Sequence, residues 1–504
     1  MSIIISSLSF SYPEQSARLF ESLSLTIHPG WTAFAGANGS GKTTLALLID
    51  GRLAPDSGSI RTPSSVVYCP QLFEDIGLDD YQYLYDYSAE ALELRRRLGL
   101  DDGMFQRTDS LSGGEKKRLQ LFLALSRHPE VLILDEPTNH LDEDGRQLIA
   151  SALSTYKGIG ILISHDRAFM DSLVTRTLIF SREGGDGCVV VDDIPLAASE
   201  AFREREARRG SLLAQRRRLG QELGRIRTLE AGLQSQAEAS ARRLSKKTVS
   251  PKDHDAQGRI DAARLSGKDR GVGDRKKAVS SRREDLEASL GQLDQVRLRK
   301  SGLAAKSFQS LHSALTVGPC VVEVPGYSLS VDELVFPPSS RTALVGDNGV
   351  GKSLLVHRIA QEAVQRWGRE KVVVLAQEYG DEDVEAVVSR FRCLDDRMRA
   401  AIVSDLYRLS STPESFLSGQ AISPGELRKL DFLLSLSSQP AFLIMDEPGN
   451  HLDITSLMAM EEMLSSSDLT LVLVSHDEAL RKALCSRTVR LVREGRRGRA
   501  FMEA

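Results

Sequence analysis

Short runs of uninterrupted apolar residues mark both ends of this chain, and a seven-residue repeat of leucines occupies its middle. Val131-Leu-Ile-Leu134 and Phe442-Leu-Ile-Met445 are short and apolar at every position. That is the pattern of strands buried on both faces of a parallel sheet. Gly160-Ile-Leu-Ile163, Trp31-Thr-Ala-Phe-Ala35, Val66-Val-Tyr68 and Val372-Val-Val-Leu375 predict further strands. In the middle, Leu212, Leu219, Ile226 and Leu233 recur every seventh residue, with Leu223 and Leu229 between them. Val279, Leu286 and Leu293 repeat the pattern, with Leu290 and Val296 between. Each run predicts an amphipathic helix with a narrow seam. The stretch from Lys246 to Gly273 is charged, rich in glycine and interrupted by Ser250-Pro251. It predicts a turn that pairs the helices as an antiparallel hairpin.

The two ends are copies of one another. Gly36-Ala-Asn-Gly-Ser-Gly41-Lys42-Thr43 returns as Gly346-Asp-Asn-Gly-Val-Gly351-Lys352-Ser353. Leu111-Ser-Gly-Gly-Glu115 returns as Ile422-Ser-Pro-Gly-Glu426. Asp135-Glu136-Pro-Thr-Asn-His-Leu-Asp142 returns as Asp446-Glu447-Pro-Gly-Asn-His-Leu-Asp453, and Ser164-His165-Asp166 as Ser475-His476-Asp477. A constant offset of about 310 residues is the mark of a duplicated domain. The chain's asparagines are Asn38, Asn139, Asn348 and Asn450, all at matching motif positions.

Charge separates the middle from the ends. The net charge is −4 overall, but Phe202 to Lys306 holds about 27 lysines and arginines against about 14 acids, which leaves the remainder near −17. Five cysteines lie far apart, with no ligand spacing or disulfide framework, as in a reducing compartment. The N-terminus lacks the features of a signal peptide. No apolar run approaches the roughly 18 to 20 residues that span a bilayer. These features predict a cytoplasmic protein without a membrane domain.

The repeated motifs carry phosphate chemistry. A strand, a glycine loop and a helix starting near Lys42 turn backbone N–H groups toward an anion. Lys42 is placed to meet the β- and γ-phosphates, and the Thr43 hydroxyl to ligate magnesium. Asp135 ends a buried strand and would hold the metal through water, while Glu136 is placed to polarise an attacking water. His165 follows the next strand and could orient the γ-phosphate; a structural histidine is the bland reading. Gln71 and Gln377 follow apolar strands and could reach metal and water, although glutamine is common at strand ends. Ser112 with Glu115, and Ser423 with Glu426, fit the capping-box pattern. Either they only cap helices, or the glycines inside leave helix N-terminal N–H groups open to an anion held by the other half.

These residues resemble the ATP-binding cassettes of ABC proteins, of which Leu-Ser-Gly-Gly-Glu is the signature. The Glu136 to Asp142 run, the doubled cassette and the charged linker resemble the ABC-F subfamily across essentially the whole chain. The resemblance implies an α/β fold: two P-loop ABC nucleotide-binding domains, at residues 1–198 and 311–504, joined by a basic α-helical hairpin at 199–310. It implies a monomer whose cassettes close head to tail on ATP and Mg2+. One site would join Gly36, Asn38, Gly39, Gly41, Lys42, Thr43, Thr44, Gln71, Asp135, Glu136 and His165 to Ser423, Gly425 and Glu426. The other would join Gly346, Asn348, Gly349, Gly351, Lys352, Ser353, Gln377, Asp446, Glu447 and His476 to Ser112, Gly114 and Glu115. Thr43, Gln71, Asp135, Ser353, Gln377 and Asp446 are the metal set. Tyr12 matches the aromatic that stacks on adenine, with Tyr327 as its counterpart.

ABC-F proteins bind ribosomes, and their linker reaches toward the peptidyl-transferase centre and the P-site tRNA. A narrow basic hairpin suits such a path between RNA walls; a solvated helical connector is the plainer alternative. Pro424 and Gly449 depart from the motif of the first half and predict unequal sites. The short interval from Gln71 to Ser112 predicts no inserted arm, and no C-terminal DNA-binding coiled coil is expected. The resemblance leaves a translation factor and an antibiotic-resistance factor open, with a slight lean to resistance. From other classes remain the ATPase of a separate membrane exporter, which has no use for a long basic hairpin, and a DNA-processing ATPase.

Overall fold

A computed structural model describes the chain except for residues 14–17, 73–79, 108–109, 140, 142, 183–187, 244–269, 296–307, 309, 348, 376–378, 410, 412–421, 450–451 and 504. Asn348, Gln377, Asn450, Asp142 and the linker lysines Lys246, Lys247 and Lys252 therefore lie outside the described residues. The chain divides into two compact units. One contains both halves of the repeat, and Arg203–Leu298 belongs to the other.

In the first half, six strands form a sheet in the order Val66–Cys69, Val131–Asp135, Ile159–Ile163, Gly30–Gly36, Arg176–Ser181 and Val190–Ile194. The first five are parallel and the last pairs antiparallel. Val131–Asp135 and Ile159–Ile163 are buried at every residue, as their unbroken apolar patterns require. The pleat sends alternate residues to opposite faces. Val131, Ile133 and Ile161 join Phe34, Phe180 and Leu45 of the helix Lys42–Asp50 in one core. Leu132, Leu134 and Leu162 join Ala33 and Phe122 of the helix Gly113–Ser126 in another.

Parallel strands bring their carboxyl ends to one edge, the usual place for a ligand crevice. Phe34 and Asp135 are both in register with Ile163. Gly36, Asp135 and the Ser164-His165 pair thus emerge side by side. The second half repeats this core: Leu344 and Asp446 both pair with Val474. Its sheet has eight strands, because Cys320–Val324 and Tyr327–Val331 join through Arg497–Met502. In the first half the strands Ile3–Phe10, Phe20–Ile27 and Ser57–Arg61 form a separate antiparallel sheet.

The middle of the chain forms helices at Ala198–Arg243 and Arg270–Gln295. The first begins inside the cassette, where Ala198, Ala201 and Phe202 complete a core. Beyond it, Arg227 pairs with Glu287 at 2.9 Å, Arg282 with Glu222 at 2.9 Å and Arg283 with Glu230 at 3.1 Å, so the helices lie side by side. Leu223 and Leu286 are buried, but Leu229 is 52% exposed, against the expectation that it joins the seam. Leu223 stands four residues past Leu219, whereas Leu229 stands three past Ile226. They flank the stripe on opposite sides, and only one flank faces the neighbouring helix.

A buried ion pair ties the second signature helix, Pro424–Ser437, to the residue that caps the helix Ile454–Ser465. Lys429 Nζ lies 2.8 Å from Asp453 Oδ2 and donates to the Leu409 carbonyl at 2.9 Å; the two side chains are 4% and 0% exposed. Burial opposes ionisation of Asp453, yet Lys429 and the Ser456 N–H hold its carboxyl below the usual carboxylate range. Removing one partner strands the other charge in a dry site. Lys429→Met is expected to cost about 3–5 kcal/mol of unfolding free energy in urea denaturation, and a further Asp453→Asn to recover at least half of that loss.

Candidate active site

The glycine loop before Lys42 is built from backbone that side chains rarely permit. Gly36, Gly39 and Gly41 have φ of 137°, 72° and 92°. At Gly36 a β-carbon would stand 2.2 Å from the Phe180 carbonyl oxygen. The loop folds over its own lysine: Lys42 Nζ donates to the carbonyls of Gly36 and Ala37 at 2.9 Å each. Burial lowers the pKa of Lys42, and Asp453, Glu136 and Asp135 partly restore it. The second loop matches, with Lys352 Nζ donating to Gly346 at 2.7 Å and to Asp347 at 3.2 Å. Gly349 and Gly351 take φ of 73° and 95°.

Beside each lysine stands the hydroxyl and carboxylate pair expected of a metal site. Thr43 Oγ1 donates to Asp135 Oδ2 at 3.0 Å, and Ser353 Oγ to Asp446 Oδ2 at 3.3 Å. Gln71 follows its strand in an exposed bend. Tyr12 lies against Phe10 edge to face at 5.1 Å, and its hydroxyl is 3.0 Å from Thr44 Oγ1, which places the ring at the start of the phosphate-loop helix. Tyr327 donates to the Val350 carbonyl at 2.8 Å and lies under the Arg493 guanidinium.

Glu136 and Glu447 follow those carboxylates in left-handed backbone, with φ of 49° and 48°. This conformation is uncommon for glutamate and costs of order 1–3 kcal/mol, so the surroundings must impose it. The next strand does so: Glu136 N–H donates to Ile163 O, and Glu447 N–H to Val474 O, each at 2.8 Å. The turn aims each carboxylate at its histidine. His165 Nε2 is 3.4 Å from Glu136 Oε1, and His476 Nε2 is 3.5 Å from Glu447 Oε1. Lys352 Nζ also reaches within 3.5 Å of His476 Nε2. Burial, aided by the charge of Asp135, pushes the Glu136 carboxyl up to about 8; burial likewise raises Asp446 and Glu447.

Around the second loop these groups line a cavity of about 390 Å³ that includes Tyr327, Gly351, Lys352, Ser353, Glu447 and His476. Ser112, Gly114 and Glu115 are not part of its lining. The signature loops instead cap their own helices. Ser112 makes a complete capping box with Glu115. Ser423 accepts from the Glu426 N–H at 3.3 Å, but its box is only half formed. There the Glu426 carboxylate takes the Ser423 hydroxyl at 3.2 Å, so the two signature loops that share the capping-box pattern differ in how they close it. Gly425 is buried within that helix, and Pro424 opens it.

Sequence reasoning missed Tyr68, whose hydroxyl donates to Asp135 Oδ2 at 2.9 Å. Burial and the Asp135 charge push that phenol's pKa upward. Val374 holds the matching strand position, so the repeat gave no signal for it. The first site also pairs Thr138 Oγ1 with Ser164 Oγ at 3.3 Å, a contact that Gly449 cannot make in the second.

A family model described as ABC transporter matches residues 20–139 and 329–450. The ATP-binding protein Uup of Caulobacter vibrioides is 29% identical over 95% of this chain and 75% of its own length. The ribosome protection protein VmlR of Bacillus subtilis is 27% identical over 95% and 84%. The tylosin resistance ATP-binding protein TlrC of Streptomyces fradiae is 29% identical over 94% of each chain. In a crystal structure with the archaeal ribosomal stalk protein aP1, the ribosome recycling factor aABCE1 shares this fold at a TM-score of 0.61 and 17% identity, covering 98% of this chain and 89% of its own.

Gly36→Ala is expected to weaken binding of a fluorescent ATP analogue by the first loop at least about tenfold, because the Phe180 backbone cannot yield. Gly39→Ala, where a β-carbon would meet nothing within 4 Å, should weaken it far less.

Proposed function

We propose that this chain, which resembles the ABC-F group of twin ATP-binding-cassette proteins, is an ATP-hydrolysing protein whose ATP-bound form binds the ribosome. The observation that carries the hydrolysis is the doubled convergence of lysine, aspartate, glutamate and histidine at the carboxyl edge of each sheet. The Lys42 and Lys352 ammonium groups would leave the loop carbonyls for the β- and γ-phosphates, with the loop N–H groups completing the cradle. The pairs Thr43 with Asp135 and Ser353 with Asp446 offer an all-oxygen donor set that fits magnesium, which when bound neutralises charge on the phosphates. Glu136 and Glu447 would orient the attacking water and accept its proton. His165 and His476 hold the glutamates from the next strand and would contact the γ-phosphate.

Closure would bring Ser423, Gly425 and Glu426 to the nucleotide of the first cassette, and Ser112, Gly114 and Glu115 to that of the second. Each signature loop heads a helix whose N-terminal N–H groups favour an anion. The clamp thereby reads ATP as the linkage between its halves, and hydrolysis releases it.

The target follows from charge and kinship. The helical unit carries exposed arginines at Arg203, Arg217, Arg218 and Arg225, suited to RNA phosphates. VmlR and TlrC carry ribosome protection and tylosin resistance in their names. We read the protein as a ribosome protection factor whose linker acts near the P-site tRNA. Among the described residues no helix is long and apolar enough to cross a membrane.

Glu136→Gln with Glu447→Gln is expected to trap the protein on ribosomes in ATP, seen as co-sedimentation that ADP does not support. Absence of ATP-dependent co-sedimentation would overturn the ribosome reading. Neutralising Lys246, Lys247 and Lys252 is expected to weaken ribosome binding and flatten its salt dependence, with basal ATPase intact.

A further inference from the structure

The joint between the two cassettes is polar on one side and apolar on the other. On the polar side, Arg146 lies on the first turns of the helix Glu143–Leu153, just past the Glu136 motif. Its Nη1 donates across to the carbonyl oxygen of His476 at 2.9 Å and lies 3.4 Å from Asp166 in its own cassette. Arg167, whose side chain is 7% exposed, reaches Glu461 at 3.0 Å and Asp477 at 3.4 Å. Arg481 lies 3.9 Å from Glu143. The arginines of the first cassette thus hold the peptide that carries His476 and the carboxylate that follows it. That same histidine sits 3.5 Å from Glu447 and Lys352, and its N–H donates to Glu447 Oε2 at 3.2 Å.

The repeat shows what stands at the reciprocal positions. Leu457 replaces Arg146, Glu478 replaces Arg167, Ala150 replaces Glu461, Ile454 replaces Glu143 and Met170 replaces Arg481. A leucine has no N–H to offer the His165 carbonyl. Instead Ile454, fully buried, and Met458 pack into the core of the first cassette with Met170.

We infer that Arg146 is a positioning residue for the second site, acting from the opposite cassette on the His476 peptide. Docking of the first cassette thereby arms hydrolysis at Glu447. A small displacement of His476 relative to Glu447 is enough to slow a step that depends on near-attack geometry.

The inference rests on the hydrolysis reading, and the experiment separates the two. In full-length protein, Glu136→Gln leaves only the second site active and Glu447→Gln only the first. Adding Arg146→Met is expected to lower kcat about tenfold in the Glu136→Gln background, with KM unchanged. In the Glu447→Gln background it should leave kcat within about twofold, which also controls for folding. Arg146→Lys, which keeps a donor, should recover part of the loss. An equal fall in both backgrounds, no fall in the first, or a rise in KM with kcat unchanged would overturn the inference. If neither background hydrolyses ATP with Arg146 intact, the hydrolysis reading itself fails and the inference with it.

Discussion

Each cassette keeps a lysine, two carboxylates and an imidazole together at the dry edge of a parallel sheet, and this burial of charge governs the rest of the site. Lys42, Asp135 and Glu136 are each less than a tenth exposed. Taking ions out of water costs several kcal/mol apiece unless neighbours compensate. The compensation is partial. Burial lowers the pKa of Lys42 and raises that of Glu136, moving both groups toward neutrality. The loop carbonyls of Gly36 and Ala37 hold the ammonium where phosphate oxygens would be better partners. A polyanion in the loop would offer that ammonium charged acceptors in place of the carbonyls. Strain adds to this readiness, because both glutamates are held in left-handed backbone by a carbonyl from the next strand.

Much of this arrangement was legible in the sequence because the chain states it twice. The unbroken apolar runs at Val131 and Phe442 are strands, the helices start at Lys42 and Lys352, and the carboxylates lie at strand ends. What escaped was what the repeat does not share. Tyr68 has a valine as its counterpart, so comparison of the halves passed over its bond to Asp135. The half-formed box at Ser423 depends on where the Glu426 carboxylate turns, a rotamer choice that the motif does not encode. Leu229 was placed in the seam by spacing alone, and a single stripe admits two flanks. The left-handed glutamates carried no sequence mark, since glycine is the residue that usually announces such backbone.

The duplicated halves differ at the candidate site and where they meet each other. The first site gains the Tyr68 hydroxyl and the Thr138 to Ser164 contact; the second has Val374 and Gly449 there. At Gly449 a β-carbon would meet nothing closer than Leu457 at 3.9 Å, so lack of room does not account for the missing threonine. That difference is chemical rather than steric: Ser164 has a hydroxyl neighbour that Ser475 lacks from this position.

The joint between the halves carries the same divergence. Apolar contact of the kind Ile454 makes is insensitive to ionic strength and is lost only with the area it buries. The Arg481 and Glu143 pair, with the glutamate half exposed, is screened by salt and exchanges readily for water. Arg167, nearly excluded from water between Glu461 and Asp477, is screened far less. The two sides of the joint therefore differ in their response to salt. The polar side ends on the His476 peptide, through which we infer that the position of one cassette reaches the chemistry of the other.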